Sequence, residues 1–386
     1  MTKPAARNIL LNGCFRSGTT LLDKLMHNHA DIFMASQAYP SLFSYTKLQF
    51  LNDLGIERRY PLGHLFREES YSNDDFISFL DDYVLEDKDI DQVLSLLTDA
   101  GSFVQTSGMD RYRDAINPGT FHDVYQQMNA VLPRLFPDSG ALTYLGSKEV
   151  FCEEYIPYLL KHGTKVVIIV RDPRDVVSSV YRADAGHMGM HRPLLFTLRA
   201  WRKNVAFLLG YESHANLCVV RFEDLVRAPD EELARLTDFL ELPVYPEDAF
   251  SDGIYDQQGK LWKSNSSFSE AIGFDTTSVG RYTEQLSDEI IAYINAMCGP
   301  EMRALGYADK SAFDKSALDS CREPYEVLHP AFKNDREYSE DPRRLEDETR
   351  RYAMLMDETV ELTPAELRSW YILPGAYTRL RESVRD

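Results

Sequence analysis

The segment Asn8-Ile9-Leu10-Leu11-Asn12-Gly13-Cys14-Phe15-Arg16-Ser17-Gly18-Thr19-Thr20-Leu21-Leu22 constrains this chain more than any other. An apolar strand runs into a glycine loop, and the loop opens a helix. Gly13 and Gly18, with four residues between them, let backbone N–H groups turn inward. Thr19 and Thr20 add hydroxyls at a helix N-terminus, where partial positive charge favours an anion. The spacing is that of a phosphate-binding P-loop. An ATP-binding loop continues with Lys and then Ser/Thr, the lysine reaching the β- and γ-phosphates and the hydroxyl holding Mg²⁺. Here Thr19 stands in the lysine's place and the cation comes earlier, as Arg16. These residues point to a phosphorylated nucleotide held by arginine without a metal.

Short apolar runs recur between helical patterns at 9–11, 142–145, 166–170 and 217–220. Such runs separated by helices predict a buried parallel sheet. The fold class that follows is α/β: a three-layer, P-loop-like fold with a central parallel sheet, a helical insertion on the acceptor side and a C-terminal extension. The expected organisation is an α/β domain over residues 1–308, with the insertion at about 40–140, and a helical extension over 309–386. The insertion reads as helical throughout and carries Tyr39, Phe43, Tyr45, Phe50, Tyr60, Phe66, Phe76, Phe79 and Tyr83. A segment of this size after a phosphate loop is where an acceptor pocket would be built, although an aromatic core explains the rings equally well. The extension suits a partner surface, an oligomer arm or a lid.

A formal net charge of −19 argues against nucleic acid or a long anionic glycan as partner, since both need basic tracks. The acidity concentrates over residues 68–101, with eleven Asp and Glu against Lys88 alone; this reads as a solvated face or as a rim that attracts a cationic acceptor. The five cysteines are scattered and form no C-x-x-C pair, so neither a disulfide framework nor a metal site is indicated. With the first strand reached by Asn8 and no apolar run of membrane-spanning length, the expected location is the cytoplasm.

After the run at 166–170 comes Arg171-Asp172-Pro173-Arg174-Asp175-Val176-Val177-Ser178-Ser179. Asp172 reads as a helix cap, Pro173 suits the first turn, and Asp175 is placed as a capping-box partner. Arg171 then lies at the carboxyl end of a central strand, where open α/β sheets bind ligands. Ser179 follows about two turns along the helix. The pair can grip a second phosphate, or Arg171 can pair locally with Asp175.

The loop at 13–22, the Arg171…Ser179 segment, Val279-Gly280-Arg281-Tyr282 and Leu305-Gly306-Tyr307 occur in an order that resembles sulfotransferases using 3′-phosphoadenosine 5′-phosphosulfate (PAPS). The chain is similar to the branch containing tyrosylprotein and many bacterial sulfotransferases, over roughly residues 7–50 and 140–308. The resemblance implies that Arg16, Ser17, Gly18, Thr19 and Thr20 bind the 5′-phosphosulfate, and that Arg171 with Ser179 binds the 3′-phosphate. It implies that Lys148, in Gly146-Ser147-Lys148-Glu149, contacts the bridging oxygen. Ser267 and Arg281 match a serine and a basic residue near the phosphates, and Phe222 replaces a frequent tyrosine beside the adenine. The product would be 3′-phosphoadenosine 5′-phosphate (PAP), no metal would be needed, and the acceptor would be a hydroxyl on a small molecule or peptide.

The resemblance departs at the general base. The related branch has a glutamate about twenty residues after the loop arginine, and this chain has Gln37, which accepts no proton at neutral pH. The base comes from elsewhere, or an acidic phenol needs little help, or PAPS is bound without turnover. Glu149 is the first substitute because it adjoins Lys148, although adjacent strand residues point oppositely. His64, Asp110 and His122 stand in reserve, whereas His27 and His29 fit a structural role near a helix end. A nucleotide-dependent kinase and a non-catalytic PAPS-binding regulator are the alternatives.

Overall fold

The computed structural model describes residues 6–56, 71–101, 104–136, 142–181, 194–263, 274–307, 343–357 and 359–385. Ser267, His64, Tyr60 and Phe66 lie outside them. Five strands, β1 (Arg7–Gly13), β2 (Ile32–Ser36), β3 (Tyr144–Glu149), β4 (Lys165–Val170) and β5 (Leu217–Arg221), form an all-parallel sheet in the order β2-β3-β1-β4-β5. The helices, in chain order, are α1 (Thr19–His27), α2 (Pro40–Asp53), α3 (Asn73–Asp82), α4 (Asp87–Ala100), α5 (Phe121–Leu135), α6 (Ile156–Lys161), α7 (Pro173–Tyr181) and α8 (Leu194–Tyr211). They continue with α9 (Phe222–Arg227), α10 (Pro229–Leu240), α11 (Tyr282–Gln285), α12 (Asp288–Ala304), α13 (Arg343–Met356), α14 (Pro364–Tyr371) and α15 (Pro374–Arg385).

Alternation along the strands divides the interior into two cores. Ile9, Leu11, Val167 and Ile169 face α1, α9 and α10 on one side. Leu10, Val166, Ile168 and Val170 face the insertion helices, α6, α7, α8 and the C-terminal helices on the other. The result is an α/β/α sandwich. The helix after β1 covers one face and the helix after β4 covers the other. The carboxyl ends of β1 and β4 therefore flank a topological switch point, the usual place for a ligand in such sheets.

Two strands differ from the four apolar runs. β2 is marked by none of them; its five residues, Ile-Phe-Met-Ala-Ser, are too short to show a strand period. The apolar run at 142–145 marks only the start of β3, which spans Tyr144–Glu149 and carries Lys148 and Glu149 at its end; Ser147 and Lys148 are paired on both sides by β1 and β2, and Glu149 by β1, despite being polar.

The insertion aromatics serve as core: Tyr39, Phe43, Phe76, Phe121 and Tyr125 are almost wholly buried and pack ring on ring with one another and with Tyr155, which follows β3. Much of the acidic stretch is engaged locally. Asp75 and Asp89 close capping boxes on α3 and α4, Asp87 and Asp91 clamp Arg113, and Asp81 meets Lys161. The C-terminal helices share the large core, and their anchor is ionic. Glu348 on α13 bridges Arg199 (3.0 Å) and Arg202 (2.6 Å) of α8, and Arg351 pairs with Glu301 of α12. Burial opposes the Glu348 charge, but Arg202, Arg199 and Arg351 together hold the carboxyl well below its ordinary range.

Candidate functional site

The loop between β1 and α1 is shaped by two left-handed residues, Arg16 (φ 65°) and Gly18 (φ 89°). Arg16 adopts this conformation at a steric cost that most side chains avoid, and such positions cluster at functional sites. Gly18 has a second reason to lack a side chain, since a Cβ there would lie 2.3 Å from Cδ2 of Phe222. Phe222, the first residue of α9, thus lies directly on the loop.

Side chains from β4 and α7 converge on this loop across the switch point. Arg16 Nε donates to Ser179 Oγ at 2.9 Å. Arg171 donates to the Arg16 carbonyl at 3.2 Å and to the Ser278 carbonyl at 2.6 Å, and its guanidinium lies 4.3 Å from the Phe222 ring centroid. Burial, reinforced by Arg171, lowers the Arg16 pKa to about 10, and burial also lowers that of Arg171. A half-buried and a buried cation so close together, with Ser17 Oγ and Arg171 Nε buried and without a hydrogen-bond partner among the described residues, form an environment that favours a bound anion.

Asp175 does not close a capping box. Its carboxylate accepts the N–H groups of Gly280 (2.7 Å) and Tyr282 (3.0 Å), while the Asp172 N–H that a capping box needs is taken by Glu223 (2.9 Å). Nor does Arg171 hydrogen-bond Asp175; its partners are the two carbonyls. Asp175 and Arg171 together fasten the segment carrying Ser278 and Arg281 to α7. The half-buried Arg281 donates to Thr277 Oγ1 at 3.5 Å. Tyr307 closes the far side, its hydroxyl donating to Glu223 at 2.9 Å and its ring lying beneath Arg221.

Lys148 ends β3 on the α1 face, in register with Leu11 of β1 and Ser36 of β2. Its backbone carbonyl accepts the Gln37 N–H at 2.7 Å, and Gln37 is half-buried with φ 46°. Glu149 lies on the opposite face, where Oε1 accepts the Tyr39 N–H at 2.7 Å; burial raises its pKa to about 7. The structure therefore brings Arg16, Arg171, Ser179, Phe222 and the loop together, sets Lys148 and Gln37 side by side, and turns Glu149 away from them.

The reserve groups lie elsewhere. Asp110 is exposed, and His122 stacks on His162 with ring centroids 4.4 Å apart. His29 links the Asp31 N–H to the Pro243 carbonyl, and His27 accepts the Met34 N–H, burial lowering its pKa to about 4.

Sequence reading missed a buried polar group beside Lys148. Asp23 on α1 is fully buried, pairs with Lys24 at 2.9 Å and accepts the Ser36 hydroxyl; Lys24 also donates to Gln257. The available signal was the adjacent Asp-Lys pair within the apolar run Leu-Leu-Asp-Lys-Leu-Met.

The chain belongs to the sulfotransferase family, whose pattern it matches over residues 8–247. Its general chemistry is therefore sulfuryl transfer. No curated protein matches the chain. Among solved structures it is similar to the sulfotransferase domain from the curacin biosynthetic pathway, at 17% identity over 79% of this chain and 99% of that one, with a TM-score of 0.43. The sulfotransferase domain from the Synechococcus PCC 7002 olefin synthase is 18% identical over 75% and 91%, with a TM-score of 0.45. Mouse sulfotransferase SULT7A1 complexed with PAP is 12% identical over 78% and 86%, with a TM-score of 0.40. No helix among the described residues is long and apolar enough to cross a membrane, and they contain no cluster able to hold a metal ion.

Proposed function

We propose that the protein transfers a sulfuryl group from PAPS to a hydroxyl of a small-molecule or peptide acceptor. The observation that carries this reading is the convergence of Arg16, Arg171 and Ser179 on one loop, through the contact between Arg16 Nε and Ser179 Oγ and the bond from Arg171 to the Arg16 carbonyl. A nucleotide with phosphates at both ends of its ribose needs two anion sites, and a P-loop joined to a second arginine–serine pair supplies them. The orphaned Ser17 Oγ and Arg171 Nε fit such a ligand.

In this reading Arg16, Ser17, Gly18, Thr19 and Thr20 hold the 5′-phosphosulfate, and Arg171 and Ser179 hold the 3′-phosphate, with Arg281 nearby. Phe222 flanks the adenine, and Ser267, outside the described residues, joins the phosphate side. PAPS supplies the activated sulfuryl group. Arg16 and the loop amides stabilise negative charge on the sulfuryl oxygens, while Lys148 neutralises the charge left on the departing phosphate oxygen. Glu149 serves as a brace for the turn at 36–39 rather than as the base, because its carboxylate faces away from Lys148 and is already bonded to Tyr39. With Gln37 beside Lys148, an acidic phenolic hydroxyl is the acceptor that demands least of the protein. The catalytic unit spans 1–308, with the acceptor side built from 40–140; of the extension at 309–386, the described helices α13, α14 and α15 brace it. The unbridged state of the described cysteines suits a reducing cytoplasm.

The test is PAP release from PAPS in the presence of small phenols and short tyrosine peptides. Turnover should vanish in Arg16→Ala and Lys148→Ala. Full activity in Arg16→Ala would overturn the assignment.

A further inference from the structure

We propose that Asp23 is a positioning residue that keeps Lys148 cationic while leaving its donors uncommitted. The inference rests on the role given above to Lys148 and concerns a residue outside the phosphate loop. Lys148 is 6% exposed, and its side chain makes no hydrogen bond or ion pair among the described residues. An ammonium so placed is unstable unless a counter-charge lies nearby.

Geometry supplies that counter-charge. Ser36 and Lys148 are register partners on neighbouring parallel strands, so their side chains emerge on the same face. The Ser36 hydroxyl donates to Asp23 Oδ2, which fixes the carboxylate over the ends of β2 and β3. Oδ2 is shared between Ser36 and Lys24, while Oδ1 is buried and unpartnered among the described residues. Asp23 is thus tethered by groups other than Lys148 and acts on it through space. A direct ion pair would occupy the lysine's N–H groups, which the departing phosphate oxygen needs.

The charged groups acting on Lys148 are Asp23 and Lys24 from α1 and Glu149 from its own strand. β2 contributes the neutral Ser36, and the neutral Gln257 holds Lys24 from outside the helix. Burial lowers the Lys148 pKa, Asp23 and Glu149 raise it, and Lys24 lowers it. Asp23 in turn stays ionised: burial raises its pKa, but Lys24, Lys148 and the Ser36 hydroxyl outweigh that and leave it below the ordinary value.

The test follows the ¹³Cε shift of Lys148 against pH in the full chain labelled with ¹³C-lysine, with Lys148→Arg assigning the signal. Asp23→Asn should lower the midpoint by about one unit or more, and Lys24→Gln should raise it. An unchanged midpoint in folded Asp23→Asn overturns the proposal, and Asp23→Ser, which also removes the charge, decides the matter in the same way if Asp23→Asn does not fold. A residue with only a structural role would alter stability without moving this titration. Calorimetry with PAP on the same proteins separates the two claims. Failure of the parent chain to bind PAP refutes the reading of the phosphate site, whereas a fixed Lys148 midpoint refutes the role of Asp23.

Discussion

Replacing Gly18 by alanine tests the packing of the glycine loop after β1, because the change carries two separable costs. The backbone at φ 89° imposes left-handed strain of about 1–2 kcal/mol on any residue with a Cβ. The new methyl would also lie 2.3 Å from Cδ2 of Phe222, and that over-packing adds about 1–3 kcal/mol. The sum is about 2–5 kcal/mol. Gly55 is an internal control, since it has φ +67° and nothing within 4 Å of a built Cβ, so Gly55→Ala carries the strain alone. Urea unfolding of both variants, and of Gly18→Ala in a Phe222→Ala background, isolates the contact as a coupling energy. Gly18→Ala should cost more than Gly55→Ala, and the excess should disappear when Phe222 is truncated. Equal costs at the two glycines, or an excess that survives Phe222→Ala, would refute the placement of the ring on the loop.

Other outcomes follow from the buried charges. Glu348→Gln leaves Arg199 and Arg202 without their shared carboxylate and should cost about 3–5 kcal/mol in urea unfolding; a loss under 1 kcal/mol would show that α13 is not anchored there. Glu149 has its pKa raised from 4.5 to about 7, so the folded chain holds this proton more tightly than the unfolded chain. Its contribution is complete below pH 4.5 and is lost as pH rises through about 7, a change of roughly 3 kcal/mol. Unfolding free energies of parent and Glu149→Gln, compared between pH 4.5 and 7, should diverge by that amount in that direction; parallel curves would contradict the raised pKa.

The central strands and the phosphate loop were legible because local patterns encode them. An apolar run at 166–170 has only one way to be buried in a sheet with helices on both faces, and a glycine loop opening a helix specifies its own geometry. The apolar run at 142–145 showed only the start of β3 because Ser147, Lys148 and Glu149 are polar yet occupy an interior strand, so composition spoke against the pairing that β1 and β2 impose. Asp175 was misread for a related reason. Its partners Gly280 and Tyr282 lie more than a hundred positions away, and the local capping rule had no access to them. Asp23 escaped notice because two adjacent charges in a helix usually face water. Its burial depends on Ser36 and Gln257, which only the assembled sheet brings to that side of α1.

The most direct test of the two-phosphate site is calorimetric titration of the protein with PAP and with ADP, both without magnesium. A charge-assisted grip on the 3′-phosphate should make PAP bind about tenfold more tightly or better, and Arg171→Met should erase the difference. Equal weak binding of the two nucleotides, or binding of ADP only when magnesium is added, would contradict the account.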